Sequence, residues 1–321
     1  MARTPTSVVE QLEEIEANGG DGELQLGSGK RLKVSSLSKV YFPKSRITKG
    51  DVMRYYTAMS PTLLPLIKDR PLVLKRYPEG IAGSSFFQQN AGTKIPDIVR
   101  TATVTAANGS RAKRLIGGDL PTLLYTVQIG TIAVHSWQSR IKTHQYADTT
   151  TIDLDPADDV SLSEVVVLAK RIRVQLDRLG LLAAIKTSGS SGLHIVLPLP
   201  PKTAYSRAAL LAERIAERVV EADPKRATIA RSMKSRPKGS IYVDALQNAE
   251  GKSIVAAYSV REREKAIVST PLEWRELRGT LRIDSFTIAT MPLRLRKVGD
   301  LWGAMMKRRN TQRAIAAALR E

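Results

Sequence analysis

The sequence predicts a mixed α/β (α+β) fold, central β-sheets flanked by helices, and three observations carry that expectation. From residue 149 onward, apolar and β-branched runs of strand length alternate with two long helical stretches, in the order β-α-β-loop-β-α-β-β. The first of those helices opens on a capping pair, Ser161 and Glu164, and stops at Gly180. A hydrophobic share of 42% over 321 residues supplies one large core or two modest ones.

In chain order, "VVEQLEEIEANGG" reads as a short acidic helix stopped by Asn18-Gly19-Gly20, followed by a flexible link. That helix is expected to be disordered rather than packed. Thr48 is placed to cap a helix beginning near Gly50 and carrying Val52, Tyr55, Tyr56 and Met59. "PLVLKR" is a short apolar strand ending in Lys75 and Arg76. "TVTAANGSRAKRL" reads as two strands around an Asn-Gly turn with a basic tip. "TTTIDLDP" is a strand closed by Pro156, which has no N–H to give to a ladder. "LLAAIKT" and "LHIVLPL" are strands on either side of the loop "SGSSG", and a second long helix runs from about Ser206 to Glu221. "GSIYVDAL" and "SIVAAYSV" are further strands, and the tail "MMKRRNTQRAIAAALRE" reads as one basic helix.

Charge narrows the partners. Fifty Lys and Arg stand against 31 Asp and Glu, a net charge of +19. So many cations repel one another unless phosphates or acidic lipids neutralise them. There is no cysteine, which excludes disulfides, thiolate zinc sites and cysteine nucleophiles. Neither a signal peptide nor an apolar run of bilayer length is found, so a soluble, intracellular protein is expected.

Several residues could do chemistry. Asp153 and Asp155 occupy positions i and i+2 of an extended run, so both carboxylates face one way, about 7 Å apart. Two readings are open: an acidic strand end dissolving into a turn, or a divalent-metal site. Asp244 ends the strand "IYVD" with Tyr242 on its face; alone it is more simply a surface strand end. Three aspartates from two strand ends would give two hard cations oxygen ligands and leave vertices open for phosphates. "KTSGSSGLH" offers an anion nest of backbone N–H groups, the Ser188 hydroxyl, and His194 with Lys186 just upstream. Its alternative is a flexible connection followed by a core histidine. Arg261 suits a bidentate phosphate clamp or plain solvation. His135 shares a strand face with Trp137, an arrangement usual in core packing. Phe86 and Phe87, half of the four phenylalanines, stand in a polar stretch, fit either to stack on a base or to plug a core edge. Lys39 and Lys49 flank a Pro-containing loop, as two arms around one phosphate or as solvated charges.

Taken in order, "LSKVYFPKSRITKGD", "PLVLKRYPEG", "SFFQ", "HSWQSR", "IDLDP", "KTSGSSGLHIVLPL", "YVDALQN", "AYSVR" and "STPLEW" closely resemble the polymerase domain of bacterial ligase D. That domain is a branch of the archaeo-eukaryotic primase superfamily, and the chain is similar to its stand-alone primase-polymerases of the Prim-PolC type. The resemblance spans residues 33–302, leaving 1–32 as an acidic helix and linker and 303–321 as a basic C-terminal helix. It implies an archaeo-eukaryotic primase-like catalytic core in which Asp153, Asp155 and Asp244 hold two manganese or magnesium ions. It implies that His135, Ser188, His194, Arg261, Lys75 and Phe87 contact a nucleoside triphosphate, NTP or dNTP. Phe86 with Phe87 is implied to stack on the base pair or template, and Lys39 and Lys49 to grip a 5′-phosphate beyond a DNA gap. Three positions depart from the family pattern: Ser191 replaces a lysine, Pro237 an arginine, and Ser36 an asparagine. Arg236 and Lys238, on either side of Pro237 in a basic loop, are taken as DNA contacts that compensate.

The expectation is therefore a DNA-dependent nucleotidyltransferase filling short gaps in repair or end joining, with a preference for ribonucleotides. Its expected partners are gapped or broken duplex DNA with a downstream 5′-phosphate, with Ku and a separate DNA ligase as candidates. A monomer is expected, in the bacterial cytoplasm at the nucleoid and off the membrane. Two rivals stand beside it. A D-x-D glycosyltransferase needs neither the basic charge, nor Asp244, nor the paired phenylalanines. A non-catalytic DNA-end binding scaffold does not need all three aspartates.

Overall fold

A computed structural model describes residues 7–105 and 109–320. The chain divides into two compact units that interleave in sequence. The first takes the described residues up to Ser136 with Tyr258–Val268 and Asp284–Lys297; the second takes Trp137–Ala257, Ser269–Ile283 and the chain from Val298 onward.

The first unit opens on α1 (Val8–Ala17), started by a reciprocal capping box between Ser7 and Glu10. The expectation of a disordered helix and flexible link is corrected here. Leu12 is fully buried, Gln11 bonds both backbone groups of Gln25, and Glu16 pairs with Arg54 while accepting the Thr48 hydroxyl at 2.8 Å. The supposed link is a hairpin of β1 (Gly22–Gln25) and β2 (Arg31–Val34). Its turn uses Gly27 and Gly29 at φ +79° and +72°, a region that costs glycine little. A mostly acidic helix looked solvated, but one leucine and one paired glutamate suffice to anchor it.

β3 (Val40–Phe42) and β4 (Ile47–Thr48) form a short ladder leading into α2 (Lys49–Ile67), where Thr48 and Asp51 make the cap reciprocally. Val52, Tyr55, Tyr56 and Met59 are all buried, as the helical spacing predicts. The Tyr55 and Tyr56 hydroxyls donate to the carbonyls of Tyr258 and Ile132 at 2.8 and 2.7 Å, so their polar ends are satisfied in the core. β5 (Leu72–Arg76) pairs antiparallel with β6 (Phe86–Gln88) on one side. β7 (Thr101–Thr105) and β8 (Arg111–Leu115) make a separate hairpin, and α3 (Leu120–Gln128) follows. Asn108, of the Asn-Gly turn expected in that hairpin, lies outside the described residues. β9 (Thr131–Trp137) pairs with β5 on its other side.

The second unit is built on β10 (Thr149–Pro156), α4 (Leu162–Arg178), β11 (Ala184–Thr187), β12 (Leu193–Pro198), α5 (Tyr205–Ala222), β13 (Ala227–Thr228), β14 (Ile241–Asp244), β15 (Ser253–Val255) and β16 (Pro271–Leu272). Six of the strands form one sheet in the order β13-β14-β10-β12-β11-β16, antiparallel except for the β13–β14 pair. α4 and α5 pack on β10 through apolar stripes at three- and four-residue spacing, such as Leu168, Ile172 and Leu176, or Leu211, Ile215 and Val219. The strand expected over "SIVAAYSV" is only β15, because Tyr258 takes φ +67°, outside strand geometry.

α6 (Met291–Val298), α7 (Leu301–Met306) and α8 (Gln312–Arg320) close the chain. The tail expected as one helix is thus interrupted between α7 and α8. Asn310 bonds the backbone N–H and carbonyl of Leu182 at 2.7 and 2.9 Å and the Pro198 carbonyl at 2.9 Å. Thr311 then accepts from the Ala314 N–H at 3.0 Å to start the next helix. Among the described residues, no helix is long and apolar enough to cross a membrane.

Candidate active site

In the second unit, strand register sets four side chains in one row. Asp244 of β14 lies opposite Asp153 of β10, Asp153 opposite His194 of β12, and His194 opposite Lys186 of β11. Directly opposed residues share a face. Asp155, two positions along β10 and opposite Tyr242, shares it as well. The alternate residues serve the core: Ile152 and Leu154 are fully buried, and the Thr150 hydroxyl donates to the Ala208 carbonyl of α5 at 2.8 Å. One strand therefore feeds a core with one face and gathers charge on the other.

Within the row, His194 Nε2 stands 3.3 Å from Asp153 Oδ1, and Lys186 Nζ 3.0 Å from His194 Nδ1. Asp244 Oδ1 accepts the Leu246 N–H at 2.7 Å and the Tyr242 hydroxyl at 3.4 Å, while Oδ2 accepts the Gln247 amide at 3.3 Å. Asn248 ties the loop after Asp244 to β10, bonding Thr151 N–H and carbonyl, both at 2.8 Å. Arg236 reaches to 3.6 Å from Asp155 Oδ2, its guanidinium 3.9 Å from the centre of the Tyr242 ring. So Arg236 reaches the acidic face although Pro237 stands where the family pattern has an arginine. Burial pushes the Asp155 carboxyl up from its ordinary value; Arg236 opposes that, and Asp244 and Asp158 add to it.

An all-oxygen set of three carboxylates fits hard divalent cations. Among the described residues, no group of three or more acidic or histidine side chains is arranged so that it could hold a metal ion. Asp244 is held by its own loop, through Leu246 and Gln247. The "SGSSG" segment is a tight turn rather than a loose connection. Ser188 Oγ accepts the N–H groups of Ser190 and Gly192, both at 3.1 Å, and a Cβ on Gly192 would collide with the Leu154 carbonyl. Ser191 is exposed on that turn, and Lys238 is exposed on the basic loop.

The first unit holds the other candidates. Phe86 and Phe87 are 46% and 60% exposed, so neither plugs a core edge. Arg76 lies 5.1 Å from the Phe86 ring centre and Lys75 5.7 Å from that of Phe87, which meets His135 edge-to-face at 6.3 Å. Lys75 Nζ is 2.6 Å from one oxygen of Glu262, and Arg261 Nε 3.2 Å from the other. Burial alone would raise the Glu262 carboxyl, but Arg261 and Lys75 outweigh it and hold the group at about 2. Glu262, in the charged run "RERE", is not among the residues the sequence singles out.

Lys39 and Lys49 do come together, through a backbone bond from the Lys49 N–H to the Lys39 carbonyl at 2.9 Å. Lys49 is 4% exposed and donates to the Ser35 carbonyl at 2.8 Å. Burial, and then the Lys39 charge, lower its ammonium to about 8, with Asp21 opposing. Lys39 pairs with Glu79 at 2.6 Å, and Ser36 takes φ +55° with its N–H on Asp21 at 2.6 Å. The second unit thus carries Asp153, Asp155, Asp244, Ser188, His194, Arg236 and Lys238, and the first carries Lys39, Lys49, Lys75, Phe86, Phe87, His135 and Arg261.

A family model described as LigD, primase-polymerase domain, matches residues 48–302. The chain belongs to that family. Similar relatives include the bifunctional non-homologous end joining protein LigD of Bacillus subtilis, 34% identical over 270 residues, covering 84% of this chain and 43% of that protein. The multifunctional non-homologous end joining protein LigD of Pseudomonas aeruginosa is 30% identical over 292 residues, covering 90% of this chain and 34% of that protein. The chain therefore spans less than half the length of these LigD relatives. Among solved structures, the polymerase domain of Mycobacterium tuberculosis ligase D in complex with DNA is similar, with a TM-score of 0.80 and 29% identity. That likeness covers 87% of this chain and 99% of the other. It agrees with the mixed α/β fold expected from the sequence.

Proposed function

We propose that this protein is a DNA-dependent nucleotidyltransferase that extends a 3′-hydroxyl across short gaps. The carrying observation is the placement of Asp153 directly opposite Asp244 with Asp155 on the same face. Like charges opposed across a ladder destabilise it, so three carboxylates at one sheet end call for a cation between them. Asp153, Asp155 and Asp244 would hold two manganese or magnesium ions, which when bound make the 3′-hydroxyl a better nucleophile and neutralise the departing pyrophosphate.

The other roles proposed follow the family resemblance. The Ser188 hydroxyl and the His194 ring would donate to a triphosphate, and Arg236 adds a cation next to Asp155. Lys75 and Arg261 supply two more cations once a phosphate competes with Glu262 for them. Phe86 and Phe87 are exposed and would stack on a base. Lys39 and Lys49 would grip the 5′-phosphate beyond the gap. The net charge of +19 suits a DNA backbone, with salt-sensitive affinity. A role in end joining or repair draws support from the LigD relatives, which are end joining proteins. Ribonucleotide preference, action as a monomer, and partnership with Ku and a separate ligase belong to the same proposal.

Primer extension on a duplex with a single-nucleotide gap, in manganese, tests it. The wild-type chain is expected to fill the gap and Asp153→Ala to leave it open. Tight DNA binding by a wild-type chain that never extends would replace this reading with that of a scaffold.

A further inference from the structure

Lys186 is 1% exposed and takes no part in the chemistry assigned so far. Its Nζ lies 2.7 Å from Ser269 Oγ and 3.0 Å from His194 Nδ1. The direction of each bond follows from what the partner has left to give. Ser269 already donates its hydroxyl proton to the Thr187 carbonyl at 2.7 Å, so toward Lys186 it accepts. With Lys186 taken as an ammonium, which has three donors and no lone pair, His194 Nδ1 accepts as well and carries no proton. The ring proton then sits on Nε2, which faces Asp153 Oδ1 at 3.3 Å.

We infer that Lys186 is a positioning residue: through Nδ1 it fixes the orientation and tautomer of His194, so that Nε2–H is presented toward Asp153 and any phosphate bound beside it. The opposite tautomer would aim a ring lone pair at a carboxylate lone pair, which repel. The lysine is itself held firmly. Ser269 and Thr270 are tied to β11 by bonds between Ser269 Oγ and the Thr187 carbonyl, and between the Thr270 N–H and Thr187 Oγ1 at 2.9 Å. Outer partners that orient an inner histidine in this way commonly change affinity or activity by about 10–100-fold when removed. The consequence for nucleotide binding rests on the proposed polymerase reading; the tautomer does not.

The test uses the full chain with 15N-labelled histidine. There are three histidines, and the signals of His194 are those lost in His194→Asn. In the wild type at neutral pH, Nε2 is expected to be protonated and Nδ1 bare. In Lys186→Met, similar in length and uncharged, the Nδ1–H form is expected to appear. On a gapped duplex with ATP opposite a template thymine and manganese, Lys186→Met should raise the ATP KM about tenfold and change kcat by less than about threefold. Added to His194→Ala it should cost less than a further twofold, because the two residues act as one unit. A wild-type His194 protonated on Nδ1, a ring spectrum indifferent to Lys186→Met, or an unchanged KM would overturn the inference. Should Lys186→Met not fold, the wild-type spectrum and Ser269→Ala, expected to reduce the Nε2–H population, decide instead. A wild-type chain with the expected tautomer and no extension would sink the polymerase reading and leave the positioning role standing.

Discussion

Glu262→Gln removes the charge that Lys75 and Arg261 share while keeping the size of the side chain. The Glu262, Lys75 and Arg261 side chains are 12%, 25% and 17% exposed, so the two cations would lose a shared counter-charge while largely out of water. A carboxyl held at about 2 instead of 4.5 corresponds to about 3 kcal/mol at neutral pH. Allowing for the open side of Lys75, a loss of about 2 kcal/mol is expected. For units of this size that lowers the unfolding midpoint by about 4–8 °C. The sign with pH follows from the depressed carboxyl, whose stabilisation is present above 4.5 and lost as pH falls toward 2. The melting temperatures of wild type and variant should therefore converge over that window. Nucleotide affinity should move the other way, about tenfold tighter for manganese–ATP, because both cations are released for the triphosphate. Thermal unfolding and calorimetric titration read the two effects on the same preparation. An unchanged midpoint, or weaker ATP binding by a folded variant, would refute the idea that Glu262 holds these cations against a phosphate.

Leu12→Ala should cost about 2–5 kcal/mol by opening a hole beneath α1, seen as an earlier cooperative melt; an undisturbed melt would mean that helix is not part of the core. Lys49, with its ammonium near 8, carries charge below that pH and loses it above. The preference of gap filling for a downstream 5′-phosphate over a 5′-hydroxyl should therefore decline between about pH 7 and 9 in the wild type and be small and flat in Lys49→Met. Phe87→Ala should leave stability within about 0.5 kcal/mol, given its exposure, yet weaken templated extension by about tenfold through loss of one stacking face.

What the sequence made legible was whatever depends on local period and capping. Thr48 announces its helix as an N-cap, Ser161 and Glu164 announce theirs as a capping pair, and the i, i+2 spacing of Asp153 and Asp155 forces a common face. The row itself was only half visible. That Asp244 stands opposite Asp153, and His194 beside it, depends on strand order and register, which pair residues 40 and more apart in sequence. α1 was misjudged because one buried leucine and a long-range Glu16–Arg54 pair leave no periodic trace. Glu262 was hidden for a related reason: its partner Lys75 lies 187 residues away, so nothing nearby distinguishes it from a solvated acid. The break in the tail rests on Asn310 reaching the backbone of Leu182, again a contact with no local signal.

Counting bound manganese by titration in the presence of gapped duplex and a non-hydrolysable nucleoside triphosphate bears most directly on Asp153, Asp155 and Asp244 as one centre. Two ions per wild-type chain are expected, and one at most in Asp153→Asn or Asp244→Asn, with gap filling lost alongside. Two ions and full extension retained in Asp244→Asn would contradict a shared centre across β10 and β14.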